Sequence, residues 1–170
     1  HGLSLRDRLV GYLPRYADLA SRFAPLANWR NISPLLRRLF EIFAGISARR
    51  ELPAFRRDTF KPTAEAFGPE DGREIVLFAD TFNRIYEREN LDAALRVLIE
   101  GGYRVHLPRP AGPARPLCCG RTFLSAGLVD QARHELDRLV AAYAPFAERG
   151  VPIVGLEPSC LLTLRDELLS

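Results

Sequence analysis

The chain has 170 residues, of which 47% are hydrophobic, so it can form one domain with a core or one domain with an appended arm. Its formal net charge of +3 comes almost wholly from Arg, because Lys occurs only at Lys61, and this argues against a Lys-rich nucleic-acid surface. No apolar stretch approaches the roughly 20 residues that cross a bilayer, the first residues do not resemble a secretory signal, and the absence of Met indicates a piece of a larger protein.

Residues 1–46 have the pattern of a helical arm. Apolar residues recur three or four positions apart, and prolines divide the run into three or four short amphipathic helices. Ser33 followed by Pro34 predicts the start of a helix, and Gly45 is the residue type that commonly follows a helix end. Residues 1–60 carry 11 Arg against 5 acidic side chains, so we expect the arm to be basic.

A connector and then an α/β domain follow the arm. Residues 47–72 contain several Pro and Gly and show little periodicity, which predicts an extended connector. Over residues 73–170, apolar runs typical of buried strands alternate with helical patterns, which predicts an α/β fold with a parallel sheet of three or more strands and right-handed crossovers. The predicted strands are residues 74–79, 103–107 and 152–156, and the predicted helices are residues 91–101, 128–149 and a last helix capped by Ser159 and running through Leu168.

Polar or thiol side chains follow each predicted strand. Asp80 comes after the first strand, and Cys160 comes after the third. Cys118 and Cys119 lie in the long loop after the second strand. Because ligands of parallel sheets bind at the carboxyl ends of the strands, we expect these residues to meet at one edge of the sheet.

The three cysteines are the strongest chemical signal. An odd number, with two adjacent and no secretory signal, argues against a disulfide scaffold and favours a reducing cytoplasm in which thiols serve metal or redox chemistry. Gly120 gives the loop the backbone freedom that two adjacent thiols need to face one ligand. Thiolates are the soft ligands of iron–sulfur clusters, and a position before a helix lowers the pKa of a thiol. Two other interpretations remain: small buried side chains that only pack, and a vicinal disulfide that acts as a redox switch.

Three short motifs in a fixed order carry a resemblance to a known family. They are Asp80-Thr81-Phe82-Asn83, Cys118-Cys119-Gly120-Arg121 and Gly155-Leu156-Glu157-Pro158-Ser159-Cys160. The pattern resembles the CCG cysteine-rich domain of heterodisulfide reductase and of the iron–sulfur subunits of glycolate oxidase and anaerobic glycerol-3-phosphate dehydrogenase. It is most similar to the C-terminal iron–sulfur region of FAD-linked D-lactate-type dehydrogenases, and the similarity extends through the arm and the connector.

The resemblance implies that the chain is a first CCG repeat with its linking arm, from a larger oxidoreductase. It implies an iron–sulfur cluster of the 4Fe-4S type held by Cys118, Cys119 and Cys160, with FAD bound by another domain. The implied partners are that flavin domain, a ferredoxin-like cluster domain and a second CCG repeat. Electrons would leave the flavin of a 2-hydroxyacid dehydrogenase or oxidase through the clusters, so the segment alone would convert no substrate. It would act in the cytoplasm, or at the inner face of the membrane through its partners.

The set of ligands that the resemblance implies is incomplete. Three thiolates do not fill the four ligand positions of an ordinary cluster, so we expect residues outside the chain to supply the remainder. The CCG repeat often has a cysteine where this chain has Asp80, although the first repeat of D-lactate-type proteins similarly carries an aspartate. Asp80 is therefore a ligand, a group that hydrogen-bonds a ligand, or a turn-forming residue. Glu157 hydrogen-bonds backbone donors, tunes a nearby thiolate, or is a solvated carboxylate at a strand end.

Two interpretations from other functional classes remain. In one, the basic arm docks onto a partner and the cysteines are structural or bind zinc, although the C-x-x-C spacing common in zinc sites is absent. In the other, the chain is a thiol–disulfide enzyme, which would need an exposed cysteine of low pKa with a resolving partner. The sequence has no phosphate loop, no Gly-rich dinucleotide fingerprint and no convincing Ser-His-Asp order, so we expect no nucleotide site.

Overall fold

A computed structural model describes residues 2–110 and 115–167. The fold is mixed α/β, with a series of helices that precedes a four-stranded sheet, and this confirms the predicted class. The opening helices are α1 (Leu5–Gly11), α2 (Leu13–Arg22), α3 (Ala24–Ala27), α4 (Trp29–Ile32) and α5 (Pro34–Ala44).

The predicted ends of α5 are confirmed. The Ser33 hydroxyl accepts a hydrogen bond from the Leu36 backbone N–H at 3.4 Å, as an N-cap does. At the other end, Gly45 has a φ of 62°, a left-handed conformation that glycine adopts without a steric penalty.

The sheet has three parallel strands and one antiparallel edge strand. Its strands are β1 (Ala66–Phe67), β2 (Arg73–Phe78), β3 (Tyr103–His106) and β4 (Ile153–Gly155), in the order β1-β3-β2-β4. Strand β2 pairs in parallel with both β3 and β4, as the sequence predicts. Strand β1 pairs antiparallel with β3 and lies within the segment predicted to be an extended connector. Two residues are too few to show the alternation by which a strand is recognised, so the sequence pattern missed β1.

Helices connect the strands and cover the sheet. They are α6 (Thr81–Ile85), α7 (Arg88–Glu100), α8 (Arg121–Ser125), α9 (Val129–Ala147) and α10 (Pro158–Leu162), and one turn of π-helix, Thr163–Glu167, follows α10. The N-cap of α10 is Glu157 and not Ser159 as predicted, because Pro158 occupies the first helical position and the Glu157 carboxylate accepts the Ser159 N–H. Leu168, the predicted end of this helix, lies outside the described residues.

Strand β2 divides the core into two parts, since successive side chains of a strand point to opposite faces. Val76 and Phe78 belong to one cluster of buried side chains, together with Cys119 and Cys160. Ile75 and Leu77 belong to a second cluster on the other face, which also contains Leu91 of α7 and Val105 of β3. Cys119 and Cys160 are thus part of the core on one side of the sheet.

Polar contacts fasten the helical arm to the α/β part. Both terminal nitrogens of Arg84 donate to the Asp18 carboxylate of α2, at 2.7 and 2.9 Å. The Thr122 hydroxyl of α8 donates to the Gly11 carbonyl at 3.0 Å. Because these contacts join sequence-distant elements, α1 and α2 pack directly against the helices that begin at the sheet edge.

The arm also carries many exposed apolar side chains. These include Leu19, Phe23, Leu26, Trp29, Ile32, Leu35, Ile42 and Phe43. No helix within the described ranges has both the length and the apolar content needed to cross a membrane.

Candidate functional site

The structure brings the three cysteines together at the carboxyl edge of the parallel strands. Cys118 and Cys119 lie in the loop between β3 and α8, and Cys160 lies in α10, directly after β4. Their exposed fractions are 5%, 2% and 3%, so all three thiols are inside the protein. All are free thiols and not disulfides.

The thiols form a hydrogen-bonded row. Cys118 is hydrogen-bonded to Cys119, and Cys119 is hydrogen-bonded to Cys160, which comes from a segment about 40 residues farther along the chain. The hydrogen bond with Cys119, together with burial, raises the pKa of Cys118 well above the usual thiol value. The hydrogen bond with Cys118 lowers the pKa of Cys119, but the hydrogen bond with Cys160 and burial outweigh it and raise that pKa to about 12. Cys118 and Cys119 are therefore protonated at neutral pH in the absence of a metal.

Gly120 sets the backbone turn that follows the adjacent thiols. Its φ of 83° is left-handed, and a Cβ on it would lie 2.8 Å from the Ala132 carbonyl oxygen of α9. Its own N–H donates to the Cys118 sulfur at 3.4 Å. Only glycine therefore allows this loop to approach α9 so closely while its backbone N–H donates to the Cys118 sulfur.

Asp80, the first candidate in the sequence, positions the neighbouring residue Thr81, which contacts one of the thiols. Its carboxylate is 1% exposed and accepts the backbone N–H groups of Phe82 and Asn83 at 2.9 and 3.0 Å, so it caps α6. Its second oxygen accepts the Asn83 side-chain amide at 2.7 Å. The first residue of the capped helix, Thr81, is hydrogen-bonded to the Cys118 thiol. Asp80 thus fixes the residue that contacts the thiol.

Glu157 is a second capping carboxylate. It accepts the Ser159 N–H at 3.3 Å and the Ser159 hydroxyl at 2.7 Å. The next residue along the helix is Cys160. Both carboxylates singled out in the sequence therefore stabilise the starts of short helices at the sheet edge.

Two features near the thiols were not predicted from the sequence. Nothing in the sequence marks Thr81 as a functional residue except its position next to Asp80. Glu135 of α9 is 1% exposed and contacts three guanidinium groups, those of Arg15, Arg115 and Arg138. The Arg138 contact is a helix pair three residues apart that a sequence pattern can reveal, but the other two partners come from distant segments.

The three thiols are the type of ligand that a metal–sulfur group uses, but they are too few to complete one. Thiolates suit iron–sulfur clusters, and three are present where an ordinary cluster takes four. Within residues 2–110 and 115–167, no three His, Cys, Asp or Glu side chains are grouped so that they could hold a metal ion. The three thiols therefore do not form such a group by themselves.

Comparison with known proteins relates the chain to dehydrogenases. No family model and no solved structure matches it. It is 31% identical over 144 residues to D-2-hydroxyglutarate dehydrogenase of Pseudomonas putida, an alignment that covers 85% of this chain and 12% of that protein. It is 26% identical over 178 residues to D-2-hydroxyglutarate dehydrogenase of Escherichia coli, with 96% of this chain and 16% of that protein covered. The chain therefore resembles a small part of these much longer oxidoreductases.

Proposed function

We propose that the chain is an iron–sulfur electron-transfer segment of an FAD-linked 2-hydroxyacid dehydrogenase or oxidase of the D-lactate or glycolate type. The observation that carries the proposal is the buried row of Cys118, Cys119 and Cys160, in which two distant parts of the chain meet at the carboxyl edge of the sheet. Three thiols gathered from two helix starts are more than packing requires.

The named relatives support the oxidoreductase part of the proposal. Both carry the name of a dehydrogenase whose substrate is a 2-hydroxyacid, and this chain covers 12% and 16% of their lengths. A segment of that size leaves room for a separate flavin domain and a ferredoxin-like cluster domain. We therefore assign substrate oxidation to other domains and expect no substrate conversion by this segment alone.

The chain's own residues would hold the cluster and control its surroundings. Cys118, Cys119 and Cys160 would be the ligands, and the cluster would supply one-electron transfer. The Thr81 side chain and the Gly120 N–H are hydrogen-bonded to the Cys118 sulfur, and the Arg121 N–H is hydrogen-bonded to that of Cys119. Such contacts tune the potential of a bound cluster. Because the pKa values of Cys118 and Cys119 are raised, binding must release protons from these two sulfurs.

The remaining ligand would come from outside the described residues. In this proposal residues 73–170 are the first CCG repeat, residues 1–46 are the arm and residues 47–72 are the connector. A second CCG repeat would complete the cluster. Both Asp80 carboxylate oxygens are engaged in capping α6 and binding Asn83, so we assign Asp80 to positioning and not to metal ligation. The assembly would work in the cytoplasm or at the inner face of the membrane.

The test is anaerobic reconstitution, with iron and sulfide, of the complete polypeptide that contains this chain. Wild type and the variants Cys118→Ser, Cys119→Ser and Cys160→Ser are compared by electron paramagnetic resonance and by iron and sulfide content. Each substitution should remove or alter one cluster signal. Ala142→Ser, which adds a hydroxyl beside the same core cluster without removing a thiol, is the matched control and should leave the spectrum unchanged.

The outcomes separate this proposal from a docking module whose cysteines are structural or bind zinc. Unchanged cluster spectra in all three cysteine variants would overturn the proposal. Retained electron transfer in the triple variant, with loss only when residues 1–60 are deleted, would favour the docking module. If the protein isolated under anaerobic conditions contains zinc and no iron, that result would also favour the docking module.

A further inference from the structure

A cleft of about 810 Å³ opens at the carboxyl ends of β2 and β3, next to the thiol row. Ala79 and Leu107, which follow these strands, form part of its wall. Leu117 and Tyr143 line the cleft and also belong to the core cluster that contains Cys119. The cleft is of the size in which proteins bind small organic molecules, and it lies at the sheet edge where α/β folds bind them.

The lining of the cleft contains many basic side chains and several apolar ones. Two carboxylates, Asp18 and Glu65, are its acidic side chains. The apolar wall consists mainly of Leu77, Leu107, Leu117 and Tyr143. The basic side chains of the lining are Arg15, Arg22, Lys61, Arg84, Arg109 and Arg115.

Internal ion pairs account for only part of this positive charge. Asp18 binds Arg84, and Glu135, which is buried behind the lining, binds Arg15 and Arg115. Among the residues that the structure describes, the basic groups at the exposed rim are Arg22, Lys61 and Arg109, and the only acidic one there is Glu65. Positive charge at the mouth of a cleft with apolar walls concentrates anions there.

One buried arginine at the cleft carries a donor without a partner. Arg84 is 6% exposed, and its Nε has no hydrogen-bond partner within the described part of the chain. The Nε of Arg15, by contrast, faces the Glu135 carboxylate at 3.5 Å. Buried N–H groups are nearly always hydrogen-bonded, so the Arg84 donor beside the cleft indicates that an acceptor is supplied from outside.

We propose that this cleft binds a small organic anion, with a carboxylate at the arginines and an apolar body against the leucines and Tyr143. The site is separate from the cysteines and stands whether or not they hold a cluster. Asp18 and Glu135 hold Arg84 and Arg15 in place, so the cationic wall is formed before the ligand arrives. Arg22, Lys61 and Arg109 attract the ligand at the rim.

Lys61 provides a direct probe, because it is the only lysine of the 170-residue chain. Reductive methylation with ¹³C-formaldehyde keeps its charge and gives one side-chain signal in the NMR spectrum, while the α-amino group gives a second signal as an internal reference. The probes are 4-phenylbutyrate, its neutral amide and inorganic phosphate. They are added in about 150 mM NaCl, which screens weak attraction between an anion and the charged protein surface. We expect 4-phenylbutyrate to shift the Lys61 signal saturably, and the amide and phosphate to bind at least about tenfold more weakly.

Variants of equal net charge test the location. Arg22→Gln with Arg109→Gln should weaken 4-phenylbutyrate binding about tenfold, because two rim cations are lost. Arg57→Gln with Arg133→Gln removes two exposed arginines outside the cleft and should leave the affinity unchanged. Arg84→Lys should also weaken binding, and the rim pair remains decisive if that variant does not fold.

Three results would each overturn the proposal. They are the absence of a saturable Lys61 shift, an equal response to 4-phenylbutyrate and its neutral amide or phosphate, and an equal loss of affinity in the two double variants. The last result would show that net charge alone attracts the anion.

Discussion

Arg15 of the helical arm and Glu135 of α9 form an ion pair, with Nε and Oε1 3.5 Å apart, although Glu135 is 1% exposed. Arg138 also donates to Glu135, at 2.7 Å, and Arg115 completes the set. One buried carboxylate therefore fastens the arm, the loop that precedes the adjacent cysteines and the long helix to one another. Loss of this carboxylate affects three elements at once.

We expect Glu135→Ala to destabilise the protein by about 2–4 kcal/mol, because it removes the buried carboxylate that three partly exposed guanidinium groups share. The measurement is the free energy of unfolding in urea. Asp137→Ala, at an exposed position of the same helix, is the control and should change the free energy of unfolding by no more than about 0.5 kcal/mol. Equal effects of the two substitutions would show that the Glu135 ion pairs contribute nothing to stability.

Asp80→Ala and Asp80→Ser should differ in stability but agree in metal content. The alanine variant loses the cap of α6 and should be less stable by about 1–2 kcal/mol, whereas serine retains an acceptor for the backbone N–H groups. Neither change should lower the iron bound after anaerobic reconstitution, since the carboxylate is engaged in capping. Loss of iron in the well-folded serine variant would identify Asp80 as a ligand instead.

Gly120→Ala should destabilise the protein by about 2–4 kcal/mol. The left-handed backbone alone costs about 1–2 kcal/mol for a residue with a Cβ, and the added carbon meets the Ala132 carbonyl of α9. Gly127→Ala is the matched control, because Gly127 is also left-handed at a φ of 73° but has no atom within 4 Å of the added carbon. A urea unfolding comparison should therefore show the larger loss at Gly120, and equal losses would exclude the close approach to α9.

The metal-free protein should lose stability at alkaline pH. The pKa of Cys119 is raised to about 12 in the folded state, against about 8.5 for a thiol in an unfolded chain. Its contribution to stability is therefore complete below about pH 8.5 and is lost as the pH rises towards 12. Between about pH 8 and pH 9.5, before unfolded tyrosines titrate, the free energy of unfolding should fall less in Cys119→Ser than in wild type. Identical pH slopes for the two proteins would contradict this assignment.

The sequence predicts the parallel strands well because buried strands are apolar runs bounded by helix patterns. It also predicts that Cys118, Cys119 and Cys160 lie at the same sheet edge, since that follows from topology alone. It could not predict β1, whose two residues pair with β3 only through tertiary contact. It also could not predict the burial of Glu135, because a glutamate that directly follows exposed Arg133 and His134 has the local pattern of a solvated helix face.

The roles of the two capping carboxylates show a further limit of sequence patterns. Asp80 and Glu157 occur beside motifs that suggest metal chemistry, but in the structure both carboxylates cap the N-termini of helices. A carboxylate just after a strand serves either purpose, and only the positions of the backbone N–H groups distinguish them. The hydrogen bond between Thr81 and Cys118 likewise depends on where α6 begins, to within one residue.

The exposed apolar side chains of the arm also have an optical consequence. Trp29 is the only tryptophan of the chain and is 53% exposed, so its fluorescence reports on the arm alone. In the isolated chain its emission should be red-shifted and readily quenched by iodide. A blue shift on addition of another protein or domain would then measure directly, at micromolar concentration and without a label, whether that molecule covers the arm.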